Sequence, residues 1–313
     1  MRVVITCPPM IRSIQHYSHL LTDHGIEFHC PEFTQILSEP ELLELIPQFD
    51  GWIIGDDPAT RRVFETAVRG KLRAAVKFGV GIDNVDFAAA RDLGLPITNT
   101  PGMFGQEVAD IAQCYVIALA RKIFDVHRGV VAERWPKPVG YSLADKTAAV
   151  VGFGDIGRQT AKRLLASGMK VIAYDPRFAP APGLEAVESA AWPDRIQEAQ
   201  VIVLTCALTP ENRHLLNAST FAMCKRGVDI VNVSRGPLID EAALSQALES
   251  GQVSAAALEV FEVEPLSATS PLRQFEQCLF GSHNASNTRD AVIRTSERAI
   301  GLLLEMLKVK APT

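Results

Sequence analysis

The sequence predicts an α/β protein built on doubly wound parallel sheets, and three observations carry that reading. Short apolar runs alternate with amphipathic or polar segments almost from end to end, as strands do when each needs a crossover to pair in parallel with the next. One glycine-rich turn sits directly between such a run and a helical pattern. The chain has 313 residues, past the roughly 250–300 at which single cores stop growing, so two domains are expected.

In the first third, 3–6, 52–55, 74–79 and 96–98 read as strands, with 41–46 and 61–69 as segments between them. Thr100-Pro101-Gly102 is a turn or hinge signal, and a helix is predicted over 106–121. The segment 132–146, with Trp135-Pro136-Lys137-Pro138, is irregular. Beyond it, runs at 147–152, 170–174, 201–205, 228–234, 253–260 and 278–282 supply the strands of a full dinucleotide-binding sheet. The stretch 291–308 reads as one amphipathic helix.

Apolar residues at 47 % and charged residues at 21 % exclude disorder. A formal charge of −5 with no long basic cluster argues against nucleic acid as a partner. Six cysteines without a C-x-x-C fit neither a zinc site nor a disulfide framework. Free thiols suit a reducing cytoplasm. The first residues form a strand-like run rather than a signal peptide, and 109–120 is too short to span a bilayer and carries Asp110 and Gln113. No membrane partner is expected.

The chemistry starts at Gly152-Phe153-Gly154-Asp155-Ile156-Gly157. In such a G-x-G-x-x-G turn Gly152 permits the tight bend, Gly154 lets backbone approach a pyrophosphate, and Gly157 lets helix and strand pack closely. The helix amino terminus then offers N–H groups to the phosphates. Asp175 closes the next apolar run; a carboxylate roughly 20 residues on accepts from the ribose hydroxyls and repels a 2′-phosphate, which favours NAD.

Arg235, Glu264 and His283 each stand just past a later apolar run, where ligands bind in an open parallel sheet. Taken singly, Arg235 fits a strand-capping turn, Glu264 a solvated loop carboxylate and His283 a structural histidine. Together they suit hydride transfer to a carbonyl. The histidine exchanges the proton, the glutamate orients its ring, and the arginine holds a carboxylate with a forked pair of hydrogen bonds.

At these residues the sequence resembles the D-isomer-specific 2-hydroxyacid dehydrogenases, most of all their phosphoglycerate-dehydrogenase-like branch. The matching stretches are 80–86, 98–102, 151–157, 208–215, 232–240 and 260–265. The resemblance implies two Rossmann-like domains, with an NAD-binding domain (99–285) inserted into a discontinuous flavodoxin-like substrate domain (1–98 and 286–313). Catalysis is then expected in the cleft between them, with hinges at the two crossings. Arg235 matches the substrate-binding arginine, Glu264 the supporting acid and His283 the general acid/base. Val80 and Gly81 match the loop whose N–H groups receive the substrate carboxylate. Asp155 and Ile156 match the pyrophosphate turn, and Cys206, Val233, Ser234, Arg235, Glu259 and His283 match further cofactor contacts. A homodimer is implied, with 106–121 and the arm around Trp135 in its interface. The implied activity interconverts a D-2-hydroxy acid and its 2-oxo acid. Candidate substrates are 3-phosphoglycerate-like acids, glyoxylate and hydroxypyruvate.

The sequence departs from that pattern in places. Glu259 stands where the family carries an Asp that contacts the nicotinamide carboxamide. His283 sits in Gly281-Ser282-His283-Asn284-Ala285-Ser286, without the usual preceding proline. Asp56-Asp57 replaces the neighbourhood of a phosphate-binding basic residue and is expected to repel phosphate, and Phe104 takes an often polar position. No regulatory domain is expected after the last helix. Two alternatives stay open: an NADH-binding regulator or scaffold without significant turnover, and a phosphite- or formate-type dehydrogenase. Glu264 disfavours formate, whose enzymes pair the histidine with Gln.

Overall fold

In the computed structural model, which describes residues 1–33 and 36–309, the chain divides into two units. The first takes Met1–Phe104 and the chain from Ser286 onward; the second is Gly105–Ala285. The first crossing falls after residue 104 rather than after 98. Thr100, fully buried, holds the intervening segment to the first unit: its amide donates to the Gly79 carbonyl (3.2 Å) and its hydroxyl accepts from the Gly79 amide (2.8 Å). Phe104 then packs on Phe78 at 5.9 Å, which explains an apolar residue at that position.

The first unit runs β1 (Arg2–Ile5), α1 (Pro8–Arg12), α2 (His19–Thr22), β2 (Glu27–His29), α3 (Glu39–Leu45), β3 (Gly51–Ile54), α4 (Arg61–Arg69), β4 (Ala74–Lys77), α5 (Phe87–Asp92) and β5 (Ile97–Asn99). Its five strands are parallel in the order β2-β1-β3-β4-β5, the flavodoxin-like winding. β3 and β4 are buried at every position, hence their continuous apolar reading. α4 starts where the Thr60 hydroxyl accepts from the Val63 amide and turns Val63, Phe64 and Ala67 inward.

The second unit opens with α6 (Gly105–Arg121) and α7 (Ile123–Val131). It continues through β6 (Thr147–Val151), α8 (Asp155–Ala166), β7 (Lys170–Tyr174), β8 (Glu188–Ser189), β9 (Ala199–Leu204) and α9 (Ala218–Met223). β10 (Val228–Asn232), α10 (Glu241–Glu249), β11 (Val253–Leu258) and β12 (Cys278–Phe280) complete it. The chain then returns to the first unit as α11 (Arg289–Met306), whose buried Ala291, Thr295, Ala299 and Leu303 lie on one stripe facing β3 and β4. The seven parallel strands are ordered β12-β11-β10-β9-β6-β7-β8. The chain starts in the middle at β6, winds out through β7 and β8, and crosses back to β9. The loops after β6 and β9 therefore flank a switch point, where an open α/β sheet takes its ligands.

Candidate active site

The turn after β6 is shaped by close approach. Gly152 has φ +93, and a Cβ there would meet the Cys206 amide nitrogen and Cα at 2.6 Å. Thr205, closing β9, donates its hydroxyl to the carbonyls of Val151 (3.0 Å) and Gly152 (2.8 Å). α8 begins with Gly154 as its cap and no side chain on its first amides. Gly154 and Asp155 are exposed, and nothing lies within 4 Å of a Cβ at Gly154. An uncapped helix start behind an open glycine fits a pyrophosphate.

Asp175 follows β7 and belongs to the same edge. Its carboxylate accepts from the Phe153 amide (2.7 Å) and the Arg177 amide (2.8 Å). Each oxygen keeps a second lone pair for a ribose hydroxyl. Cys206 lines the turn through its backbone; burial pushes its thiol up to about 11, so it remains protonated and serves packing.

Arg235 follows β10. The buried Asn232 accepts from the Ser234 amide (3.1 Å) and donates to the Arg235 carbonyl (2.9 Å), fixing the 232–235 turn, and Arg235 Nη1 donates to the Ser234 carbonyl at 2.8 Å. The Ser234 hydroxyl bonds the Cys206 carbonyl, tying Val233 and Ser234 to the loop after β9. Asn232 escaped the sequence reading because a strand-end asparagine looks like any turn residue.

The loop after β11 carries Glu264, and the loop after β12 carries His283. His283 Nδ1 lies 2.8 Å from Glu264 Oε2, while Glu264 Oε1 accepts from the Phe261 amide at 3.0 Å. An ionised carboxylate only accepts, so Nδ1 carries the hydrogen and Nε2 is the basic position of the ring. Arg235, Glu264 and His283 thus follow three adjacent strands. The same loop holds a second pair, Glu262 Oε1 with His214 Nε2 at 2.5 Å.

The resemblance assigns Glu259 to the nicotinamide carboxamide; in the structure its side chain is turned inward. It is 3 % exposed, Oε2 accepts the Tyr115 hydroxyl at 2.5 Å, and Oε1 accepts the Asn284 amide. The extra methylene delivers the carboxylate to those two donors. Asp56 and Asp57 lie in different surroundings. Asp57 is fully buried, accepts from the Leu37 amide at 2.9 Å, and is held above the usual carboxylate range by desolvation. Asp56 Oδ1 pairs with Lys77 Nζ at 2.9 Å, and Nζ also donates to the Gly55 carbonyl at 2.6 Å. Lys77, itself buried at the end of β4, was hidden in an apolar strand.

In the first unit, Val80 and Gly81 lie in the loop after β4, with Val80 40 % exposed. Among the described residues no helix is long and apolar enough to cross a membrane, and no cluster of His, Cys, Asp or Glu could hold a metal.

Comparison with known proteins identifies the family. Residues 114–285 match the family described as D-isomer specific 2-hydroxyacid dehydrogenase, NAD binding domain. The hydroxypyruvate reductase of Thermotoga maritima is 37 % identical over 273 residues, covering 86 % of each chain. D-3-phosphoglycerate dehydrogenase 2 of Arabidopsis thaliana, a chloroplastic protein, is 36 % identical over 298 residues, which is 91 % of this chain and 47 % of that one. The chain thus spans about half the length of the plant relatives it matches. Among solved structures, the TT0316 protein of Thermus thermophilus superposes with a TM-score of 0.87 at 30 % identity, covering 100 % of this chain and 98 % of that one. The D-lactate dehydrogenase of Escherichia coli does so with 0.83 at 29 %, covering 99 % and 98 %. This chain, with its NAD-binding domain, belongs to the D-isomer specific 2-hydroxyacid dehydrogenase family.

Proposed function

We propose that the protein is an NAD-dependent oxidoreductase that interconverts a D-2-hydroxy acid and its 2-oxo acid. The Glu264–His283 pair, held at 2.8 Å on the sheet edge that carries the Gly152 turn, is the observation that carries the reading. Bound NADH supplies the hydride to the carbonyl carbon. The carbonyl oxygen becomes alkoxide-like and takes the Nε2 proton of the His283 imidazolium, leaving a neutral ring with its hydrogen on Nδ1; in the reverse direction that neutral ring takes the hydroxyl proton at Nε2. Glu264 keeps the ring in one tautomer and orientation. The Arg235 guanidinium is assigned to the substrate carboxylate and carbonyl, for which its forked donors are suited. The amides of Val80 and Gly81, in the first unit, are assigned to substrate binding by the family resemblance.

Hydroxypyruvate and glyoxylate suit the site better than a phosphorylated acid, because the Lys77 ammonium is already paired with Asp56. The match to a hydroxypyruvate reductase over most of both chains supports that choice. A homodimer is supported by Val131, Trp135 and Val139, which are 71 %, 78 % and 87 % exposed along the arm after α6. The six free thiols suit the cytoplasm.

Loss of NADH absorbance with glyoxylate, pyruvate, hydroxypyruvate and 3-phosphohydroxypyruvate tests the proposal. Turnover is expected on at least one unphosphorylated acid. Tight NADH binding with no turnover on any of the four would refute the enzyme and favour a nucleotide-binding regulator.

A further inference from the structure

His283 has φ +56, a left-handed backbone that non-glycine residues keep only where their surroundings hold it. Much of that holding comes from one residue. The Glu259 carbonyl accepts the His283 amide at 2.8 Å, and Glu259 Oε1 accepts the amide of Asn284, the next residue. Oε2 of the same carboxylate accepts the Tyr115 hydroxyl at 2.5 Å. Gly281 leaves room for this carboxylate, since any Cβ there would overlap Oε2. Tyr115 lies within α6, so a helix residue far away in sequence anchors the acid that grips the histidine turn. Burial and the neighbouring carboxylate push the Tyr115 hydroxyl well above its usual range, so it stays a donor wherever the protein is folded.

We propose that Tyr115 is a positioning residue for His283, acting through Glu259. The inference rests on the reading of His283 as the general acid/base. A buried carboxylate oxygen deprived of its donor is costly. Without the Tyr115 hydroxyl the Glu259 side chain turns to find another donor, and its bond to the Asn284 amide gives way. The imidazole then loses its fixed backbone while Glu264 still holds its ring. An Asp at 259, one methylene shorter, does not span both partners, so the Glu and the Tyr belong together in this chain.

The variant Tyr115→Phe removes the hydroxyl and little else. Hydrogen exchange of the Asn284 amide, followed by NMR, should speed up by about tenfold or more, while amides in β10 keep their protection. With the preferred 2-oxo acid, kcat should fall about tenfold, with the NADH dissociation constant within about twofold of wild type. In a His283→Gln background, Tyr115→Phe should cost nothing further, because both act through one ring. An unchanged Asn284 exchange rate overturns the proposal whatever the activity. So does an unchanged kcat, a loss confined to NADH affinity, or a full additional loss in the His283→Gln background. If wild-type protein turns over no 2-oxo acid, the function proposed above fails, and the exchange rate of Asn284 still decides whether Tyr115 holds the turn through Glu259.

Discussion

Asp229, near the start of β10, offers a stability prediction whose size follows from the structure. Its side chain is 2 % exposed and accepts the Tyr141 hydroxyl at 2.6 Å. Desolvation raises its pKa from 3.8 to about 6, against smaller opposing effects of the Tyr141 hydrogen bond and the Lys122 charge. Each tenfold change in proton affinity is worth about 1.4 kcal/mol, so ionising this buried group costs about 3 kcal/mol of folding stability. Below pH 3.8 the carboxyl is protonated in folded and unfolded chains alike, and nothing is lost. Between 3.8 and about 6 the unfolded chain ionises first, so stability falls as pH rises. Above about 6 the full cost is present. Asp229→Asn keeps an acceptor for Tyr141 and cannot ionise. Urea unfolding of both proteins from pH 4 to 8 should therefore show the variant gaining steadily up to about pH 6, then holding an advantage of about 3 kcal/mol. Turnover should be unchanged, because Asp229 is at the opposite end of β10 from Arg235. A difference that stays constant across the whole range would refute the reasoning.

Three further outcomes are expected. Asp175→Asn should lower the preference for NADH over NADPH about tenfold in kcat/KM, since the charge that repels a 2′-phosphate is gone; an unchanged ratio places the ribose elsewhere. Asp56→Ala releases Lys77 and should raise the kcat/KM for 3-phosphohydroxypyruvate relative to hydroxypyruvate about tenfold; a ratio that does not move shows that Lys77 is no part of the substrate side. Trp135→Glu should shift the sedimenting species from dimer to monomer by placing a charge in an apolar contact; wild-type sedimentation at the monomer mass would dispose of the dimer.

The sequence made legible those parts of the fold that depend on local pattern. The strands of the second unit's core were readable because buried parallel strands are continuous apolar runs, and the Gly152 turn because close approach to Cys206 demands a glycine. α6 and α11 were readable from their periodicity. The edge strands β2 (Glu-Phe-His) and β8 (Glu-Ser) were not, since both are short and polar and owe their form to a neighbouring strand. In the candidate site, strand-end placement singled out Arg235, Glu264 and His283, and the fold sets Glu264 and His283 2.8 Å apart. Strand-end placement could not find Tyr115, which looks like one more residue of a helix until folding sets it against Glu259. Nor could it find Lys77, the partner of Asp56, which is buried in a strand. Pairings across long sequence separations decide charge compensation, and no local pattern encodes them.

The most direct test of the account compares wild type with His283→Gln in single-turnover reduction of the preferred 2-oxo acid, alongside NADH binding. Loss of the proton-exchanging ring should slow the reaction by about 10²–10⁴-fold and leave the NADH dissociation constant nearly unchanged. A variant that reduces the acid at close to the wild-type rate would contradict the assignment of the proton to His283 Nε2.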